Sequence, residues 1–376
     1  MLFNKFFVRL FFLGLLFFQL THCSPENTSI PLTENEVFNQ LILEAPATII
    51  DLDEIPVDTV IVTSEQALGR EKSSFFSEPI YLGFPTLSFV KIKDSLYVAH
   101  NHGIHVMDTK GVWQRSVGRR GQGPGEFDSS FKLTNNSKNI LALDYGNGRI
   151  HVYDNKLRLI NTVNTTLFNA FFIKDFALTD NHLFMGLGMH SQDHVVAVHR
   201  TDDLQTGIET FWPRIIPAGL QPGPYNSIAL DVNRNGDIAI TNLGLPYLFL
   251  LSPNREIEHT IFFESSYYRE SENPSAKPVR TNGNTEHDVP GVKHFISQLV
   301  LKNNHTIFFT ISNTLYQIVR SEDKYRLHKV WHFVHEDPLL RQATPNGINI
   351  GSMVIEDGAL YFISMNEEYL FKVELD

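Results

Sequence analysis

Leu96-Tyr-Val-Ala-His-Asn-His-Gly-Ile-His-Val-Met-Asp108 and Leu141-Ala-Leu-Asp-Tyr-Gly-Asn-Gly-Arg-Ile-His-Val-Tyr-Asp154 are two copies of one pattern. Each is an apolar strand, a tight Asn/Gly turn and a second strand. Asn101 matches Asn147 and Asp108 matches Asp154, a step of 46 residues in both cases. A fixed period of about 40–50 residues is the spacing of a four-stranded propeller blade, so the repeat decides the fold class before any single element is assigned.

The unit returns at Asp237-Ile-Ala-Ile-Thr-Asn242, at Thr306-Ile-Phe-Phe-Thr-Ile-Ser-Asn313 and at Leu360-Tyr-Phe-Ile-Ser-Met-Asn366. From Asn147 to Asn242 is 95 residues, room for one weaker blade, which His182 to His190 and His194-Val-Val-Ala-Val-His199 supply. From Asn242 to Asn313 is 71 residues, one blade plus an insertion. The stretch of about 264–294, rich in Ser, Asn, Glu and Pro and without a strand pattern, is that insertion. Six units result, near Asn101, Asn147, His190, Asn242, Asn313 and Asn366. The last is short by one strand. Thr48 to Leu52 or Thr59 to Thr63 would complete it and close the ring, removing exposed sheet edges. The expectation is an all-β, six-bladed β-propeller over residues 47–376, with an N-terminal strand closing the last blade. The 29 Phe and 12 Tyr suit such a fold, because flat side chains pack well on a pleated surface.

The N-terminus has the pattern of an export signal. Lys5 and Arg9 form a positive region ahead of the apolar run Leu10 to Phe18, which is short for a bilayer span. Cys23, the one cysteine of the chain, follows directly. A lone thiol has no intramolecular disulfide partner, and its spacing resembles a bacterial lipobox, in which the cysteine is acylated and becomes the mature N-terminus. His22, where such boxes carry a small residue, departs from the pattern. The alternative is an ordinary signal cut nearby with a free thiol left. Residues 1–22 are thus expected to be a lipoprotein-type signal peptide and 23–46 a tether, with a helical turn or two over Glu36 to Glu44. The protein would be exported and held at the cell envelope, in the outer membrane or periplasm, by its lipid. A net charge of −11 argues against nucleic acid as a partner, since binding phosphates requires a basic surface.

Val117-Gly-Arg-Arg-Gly-Gln-Gly-Pro-Gly-Glu-Phe127 is glycine-dense, but no helical pattern follows it, so it lacks the helix N-terminus that a phosphate loop needs. It is expected to be a blade-to-blade crossover in which glycines take positive φ and Phe127 packs beneath. Together with Asp144 to Asp154, this loop resembles the NHL-like six-bladed β-propeller lipoproteins of bacteria, and the repeat organisation extends the likeness over residues 75–376. The resemblance implies the fold and a cell-surface setting, and no particular reaction.

Asn101, Asn147, Asn242, Asn313 and Asn366 stand at equivalent second-to-third-strand turns. In the resembling fold those turns ring one mouth of the central channel, where five carboxamides could converge on one ligand or a hydrated cation. The plainer reading is that Asn tolerates left-handed turn positions. His100, His102, His190 and His194, with His105 close by, are weak metal-ligand candidates among 16 histidines, and structural roles are the competing account. Asp108, Asp144 and Asp154 read as turn residues rather than an acid/base pair. No Gly-x-Ser-x-Gly elbow is present, and no catalytic residue or cofactor is assigned. Two functions follow. The leading one is a non-enzymatic module binding a glycan, peptide or envelope protein. The alternative is a Ca- or Zn-dependent lyase or hydrolase of the lactonase or amidating-lyase propeller kind, which rests on fold analogy.

Overall fold

The computed structural model describes residues 36–68, 88–100, 102–128, 131–165, 173–187, 193–204, 208–215, 227–265, 296–343, 347–364 and 370–375. Ahead of the blades run α1 (Glu36–Glu44), β1 (Ala47–Asp51), β2 (Asp58–Val62) and β3 (Ala67–Leu68). Blade 1 is β4 (Ser88–Ile92), β5 (Ser95–His100), β6 (Gly103–Asp108) and β7 (Trp113–Val117). Blade 2 is β8 (Phe131–Asn135), β9 (Asn139–Asp144), β10 (Arg149–Asp154) and β11 (Leu159–Asn164). Blade 3 is β12 (Ile173–Leu178), β13 (His182–Leu187), β14 (His194–Arg200) and β15 (Glu209–Pro213). Blade 4 is β16 (Ile228–Val232), β17 (Ile238–Asn242), β18 (Tyr247–Leu251) and β19 (Ile257–Glu264). Blade 5 is β20 (Gln298–Asn303), β21 (Thr306–Ile311), β22 (Thr314–Ser321) and β23 (Lys324–His335), followed by α2 (Pro338–Ala343). Blade 6 is β24 (Ile350–Glu356), β25 (Ala359–Ser364) and β26 (Leu370–Glu374).

Each blade is an antiparallel meander, and the first strands β4, β8, β12, β16, β20 and β24 touch in sequence and then close on β4. The expected six-bladed propeller is therefore present. Alternation along the strands sends side chains to both faces of every blade, so apolar clusters form between blades rather than inside one sheet. Phe263 of blade 4 meets Phe309 of blade 5 with ring centroids 4.7 Å apart, and similar clusters bridge blades 1 and 2, 2 and 3, 5 and 6, and 6 and 1.

The repeat reaches down to single hydrogen bonds. His105 Nδ1 pairs with Ser116 Oγ across β6 and β7 at 2.7 Å, and 46 residues on His151 Nδ1 pairs with Thr162 Oγ1 across β10 and β11 at 3.0 Å. Asp108 Oδ1 accepts the N–H groups of Lys110 and Val112, both at 2.9 Å, while Asp154 Oδ1 accepts those of Lys156 at 2.9 Å and Arg158 at 2.8 Å. The third residue of each of these turns is left-handed, Gly111 at φ 80° and Leu157 at φ 58°. Asp108 and Asp154 are thus turn residues.

The closing strand differs from the two stretches expected to supply it. Thr48 to Asp51 and Thr59 to Val62 do form strands, but β1 pairs in parallel with β19 of blade 4 and β2 in parallel with β23 of blade 5. Ala67–Leu68, paired antiparallel with Leu370 and Phe371, completes blade 6. The chain walks along the outer edges of blades 4, 5 and 6 before it enters blade 1, so the first two strands add a fifth member to sheets already complete. The helix expected within the tether is also docked: Phe38 of α1 is fully buried, edge-on to Tyr247 at 5.3 Å and to Phe249 at 5.4 Å. The insertion lies in the connection between β19 and β20, and its residues 266–294 are outside the described residues.

Candidate functional site

Because the strands are antiparallel, the second-to-third-strand turns and the blade-to-blade crossovers share one face of the propeller. On that face the crossover from β7 to β8 is the glycine-dense loop. Phe127 is wholly buried beneath it, stacked on Phe131 with centroids 4.0 Å apart, and Gly118 and Gly125 take φ of 98° and 75°. Glu126 folds back so that its carboxylate accepts the N–H of Gly123 at 2.8 Å and Nε of Arg119 at 2.7 Å. These bonds, the backbone one first, hold its pKa below the usual carboxylate value.

Asn147 belongs to the same construction. Its Nδ2 donates to Asp144 Oδ2 at 2.7 Å and to the Gly121 carbonyl at 3.0 Å, so the carboxamide ties the turn of blade 2 to the loop. Asn242 is fully buried, and its Oδ1 accepts from Trp212 Nε1 at 3.0 Å. Trp212 sits at φ 67°, unfavourable for a bulky residue, and that bond helps hold it there. Asn313 Oδ1 accepts from Ser312 Oγ at 2.8 Å. Topology places all three at the same face, where Asn147 bonds to the preceding crossover, Asn242 to Trp212 of blade 3 and Asn313 to its neighbour Ser312. Asn101, Asn366, His190 and Cys23 lie outside the described residues.

Of the histidine candidates, His100 and His102 are on blade 1 and His194 on blade 3. His100 is buried against His105 with ring centroids 5.6 Å apart, and burial, with the neighbouring imidazoles adding to it, pushes its pKa down to about 4. His194 is exposed, with Thr210 Oγ1 3.4 Å from its Nδ1. Among the described residues no group of three or more His, Cys, Asp or Glu is placed to hold a metal ion.

The six inner strands enclose a cavity of about 260 Å³ on the propeller axis. Its walls mix aliphatic and aromatic residues with Ser88, Thr134, Gln298 and Ser352 as neutral polar groups and Lys132, Asp175 and Asp231 as charged ones, and polar atoms make up the larger part of the surface facing it. Lys132 Nζ donates to Asp175 Oδ1 at 3.3 Å, across the seam between blades 2 and 3. Asp175 Oδ2 accepts Leu230 N–H at 3.1 Å and Asp231 Oδ2 accepts Leu301 N–H at 2.8 Å, so each carboxylate ties its inner strand to the next. Ser88 Oγ does the same for Leu133 N–H at 2.9 Å, and the Lys91–Glu356 pair joins blade 6 to blade 1. Burial lowers the Lys132 pKa, but the charge of Asp175 and the phenol of Tyr145 outweigh it and leave the ammonium above its ordinary value. Burial pushes Asp231 up to about 7; the Leu301 and Val232 N–H groups oppose this and the Asp175 charge adds to it. Sequence reasoning did not find this trio. Only Asp231 carried a signal, as the single ionisable residue of the otherwise apolar strand Ile228-Ala-Leu-Asp-Val232; Lys132 and Asp175 stand in inner strands with other polar residues.

Residues 85–233 match the family DUF5128, described as a 6-bladed beta-propeller. The match to DUF5128 spans blades 1 to 3 and the first strand of blade 4, about two fifths of the chain. Among solved structures, a candidate exported protein of Bacteroides fragilis is 14% identical with a TM-score of 0.49, over 84% of this chain and 88% of that one. A DUF4221 family member from Bacteroides vulgatus is 13% identical with a TM-score of 0.48, over 77% and 91% of the two chains. A virginiamycin B lyase from Staphylococcus aureus is 12% identical with a TM-score of 0.45, over 79% and 83%. No curated protein matches the sequence.

Proposed function

We propose that the chain is a non-enzymatic binding protein of the bacterial cell envelope, exported, lipid-anchored at Cys23, and holding a small ligand in the channel of its propeller. The observation that carries the binding site is the cavity itself, to which all six inner strands contribute and in which three ionisable side chains stand among apolar ones. Ligand sites join apolar walls to a few placed polar groups; this channel has both kinds of group with the polar surface larger, and its 260 Å³ lies just below their usual range, which suits a small, polar ligand. A glycan, peptide or envelope protein too large for the channel would instead meet the turn face, where Asn147 is partly exposed.

A library of small molecules screened by thermal shift tests the site. Hits on the wild-type protein should vanish in Thr134→Trp and in Gln298→Trp, which place an indole in the cavity from blades 2 and 5. Hits that survive both plugs would move the site elsewhere, and one metal ion per chain that resists dialysis would favour the metal-dependent lyase or hydrolase. The export signal and lone cysteine support the anchor. Cys23→Ser should move the protein from the membrane fraction to the soluble one, and an unchanged distribution would remove the lipid from the account.

A further inference from the structure

The charges in the cavity do not balance. Lys132 faces Asp175 at 3.3 Å, and that pair is neutral as a unit. Asp231 has no basic partner among the side chains described; its Oδ2 is held by a backbone N–H, which carries no net charge. The remaining walls offer Ser88, Thr134, Gln298 and Ser352, all neutral. One negative charge is therefore left facing a space lined by Phe89, Phe176, Leu230 and Met353. A buried charge is stable only when paired, so with the protein's own groups alone Asp231 is either ionised at a cost or protonated.

We infer that the channel selects a small organic cation, whose ammonium or guanidinium group pairs with Asp231 while its short body lies beside Phe89, Phe176, Leu230 and Met353 in an otherwise polar channel. The inference rests on the channel being the binding site. An anion would have to break Lys132 away from Asp175, and a bare divalent cation would find two carboxylates, each already accepting a backbone N–H. At about 30 Å³ per water-sized group, the cavity holds a ligand of about nine non-hydrogen atoms. Because burial raises the Asp231 carboxyl to about 7, a cation arriving near that pH displaces a proton from part of the population.

Calorimetry and thermal denaturation of the intact protein with pentylammonium, pentanol and pentanoate test this. Pentylammonium should bind at least tenfold more tightly than the other two. Its affinity should fall at least tenfold in Asp231→Asn and be retained in Asp231→Glu. In buffers of different ionisation enthalpy, binding should release about half a proton at pH 7 and almost none at pH 8.5. This last readout needs no variant, so it decides the matter even if a substitution disturbs folding. N-acetyl-lysine methylamide carries the same ammonium on a peptide body, of which only the side-chain arm would enter the channel; tighter binding of one or the other identifies a free amine or a protein side chain as the source, and both outcomes support the cation. Pentanol or pentanoate binding as tightly, undiminished binding by a folded Asp231→Asn, or binding of Ca²⁺ in preference to the amine would overturn the inference. If neutral library hits are lost in the Thr134→Trp plug while no amine binds, the cation falls and the binding site stands. If no compound of any charge responds to either plug, both fall.

Discussion

At Gly118 there is no room for a β-carbon: one built there would lie 2.7 Å from Phe127 Cε2 and 3.0 Å from the His102 carbonyl, on a backbone with φ of 98°. Gly125 shares the positive φ, at 75°, but its nearest neighbours would be 3.5 and 3.6 Å away. The two glycines of one loop therefore separate dihedral strain from packing. Gly125→Ala should cost about 1 kcal/mol, the dihedral cost alone. Gly118→Ala should cost about 2–4 kcal/mol, because the Phe127 ring must also leave its stack on Phe131. Urea midpoints of the two variants check this, and equal losses would mean that the crossover adjusts freely around Phe127. The glycine density announced positive φ in the sequence, but which glycine also needs empty space depends on where an aromatic ring 9 residues away comes to rest.

The outer edges of blades 4, 5 and 6 are covered by a segment that precedes every blade in the chain, so the N-terminal strands form a belt that adds to the apolar clusters already joining those blades. Val62 of β2 is 1% exposed and packs with Phe333 and Phe362. Val62→Asp would bury an unpaired carboxylate there, a change worth roughly 3 kcal/mol or more. It should release β2 from β23: hydrogen exchange should accelerate over 58–62 and hardly change over blades 1 and 2, whereas uniform acceleration would make the belt part of one cooperative unit with the whole ring. The belt also shows what could be read beforehand. Thr48 to Leu52 and Thr59 to Thr63 carry strand-like sequence and are strands, but pairing with blades 4 and 5 is a property of the chain's path. The true closing strand is two residues long and has no periodicity to detect. The Asn turns repeated visibly because every blade must turn there. Lys132, Asp175 and Asp231 did not repeat, since they fall 43 and 56 residues apart, in different residue types, and meet only when the ring closes.

For the molecule as a whole, the buried ionisable groups set opposing pH dependences. His100, His199 and His259 are at most 6% exposed, and burial, their largest cause of shift, depresses each to about 4. Their folded pKa values lie below the unfolded value of 6.5, so the unfolded chain takes up their protons first. The stability associated with their neutral forms is complete above pH 6.5 and is lost as pH falls towards 4. His105 and His151 shift in the same direction, also through burial first. Asp231 works oppositely: raised from 3.8 to about 7, it contributes stability below pH 3.8 that is lost as pH rises through 7. Between pH 4.5 and 6 three depressed histidines outweigh one raised carboxyl, so stability should rise with pH by on the order of 2 kcal/mol per unit. Asp231→Asn removes the opposing contribution and should steepen the slope by about 1.4 kcal/mol per unit, with its largest gain in stability above pH 7. His199→Phe should make it shallower by a similar amount. Urea midpoints at half-unit steps from pH 4.5 to 8 measure all three proteins together. A wild-type midpoint that is flat from 4.5 to 6.5 would mean the imidazoles gain protons inside the fold, and the inter-blade packing around them would then have to be wetter than the structure shows.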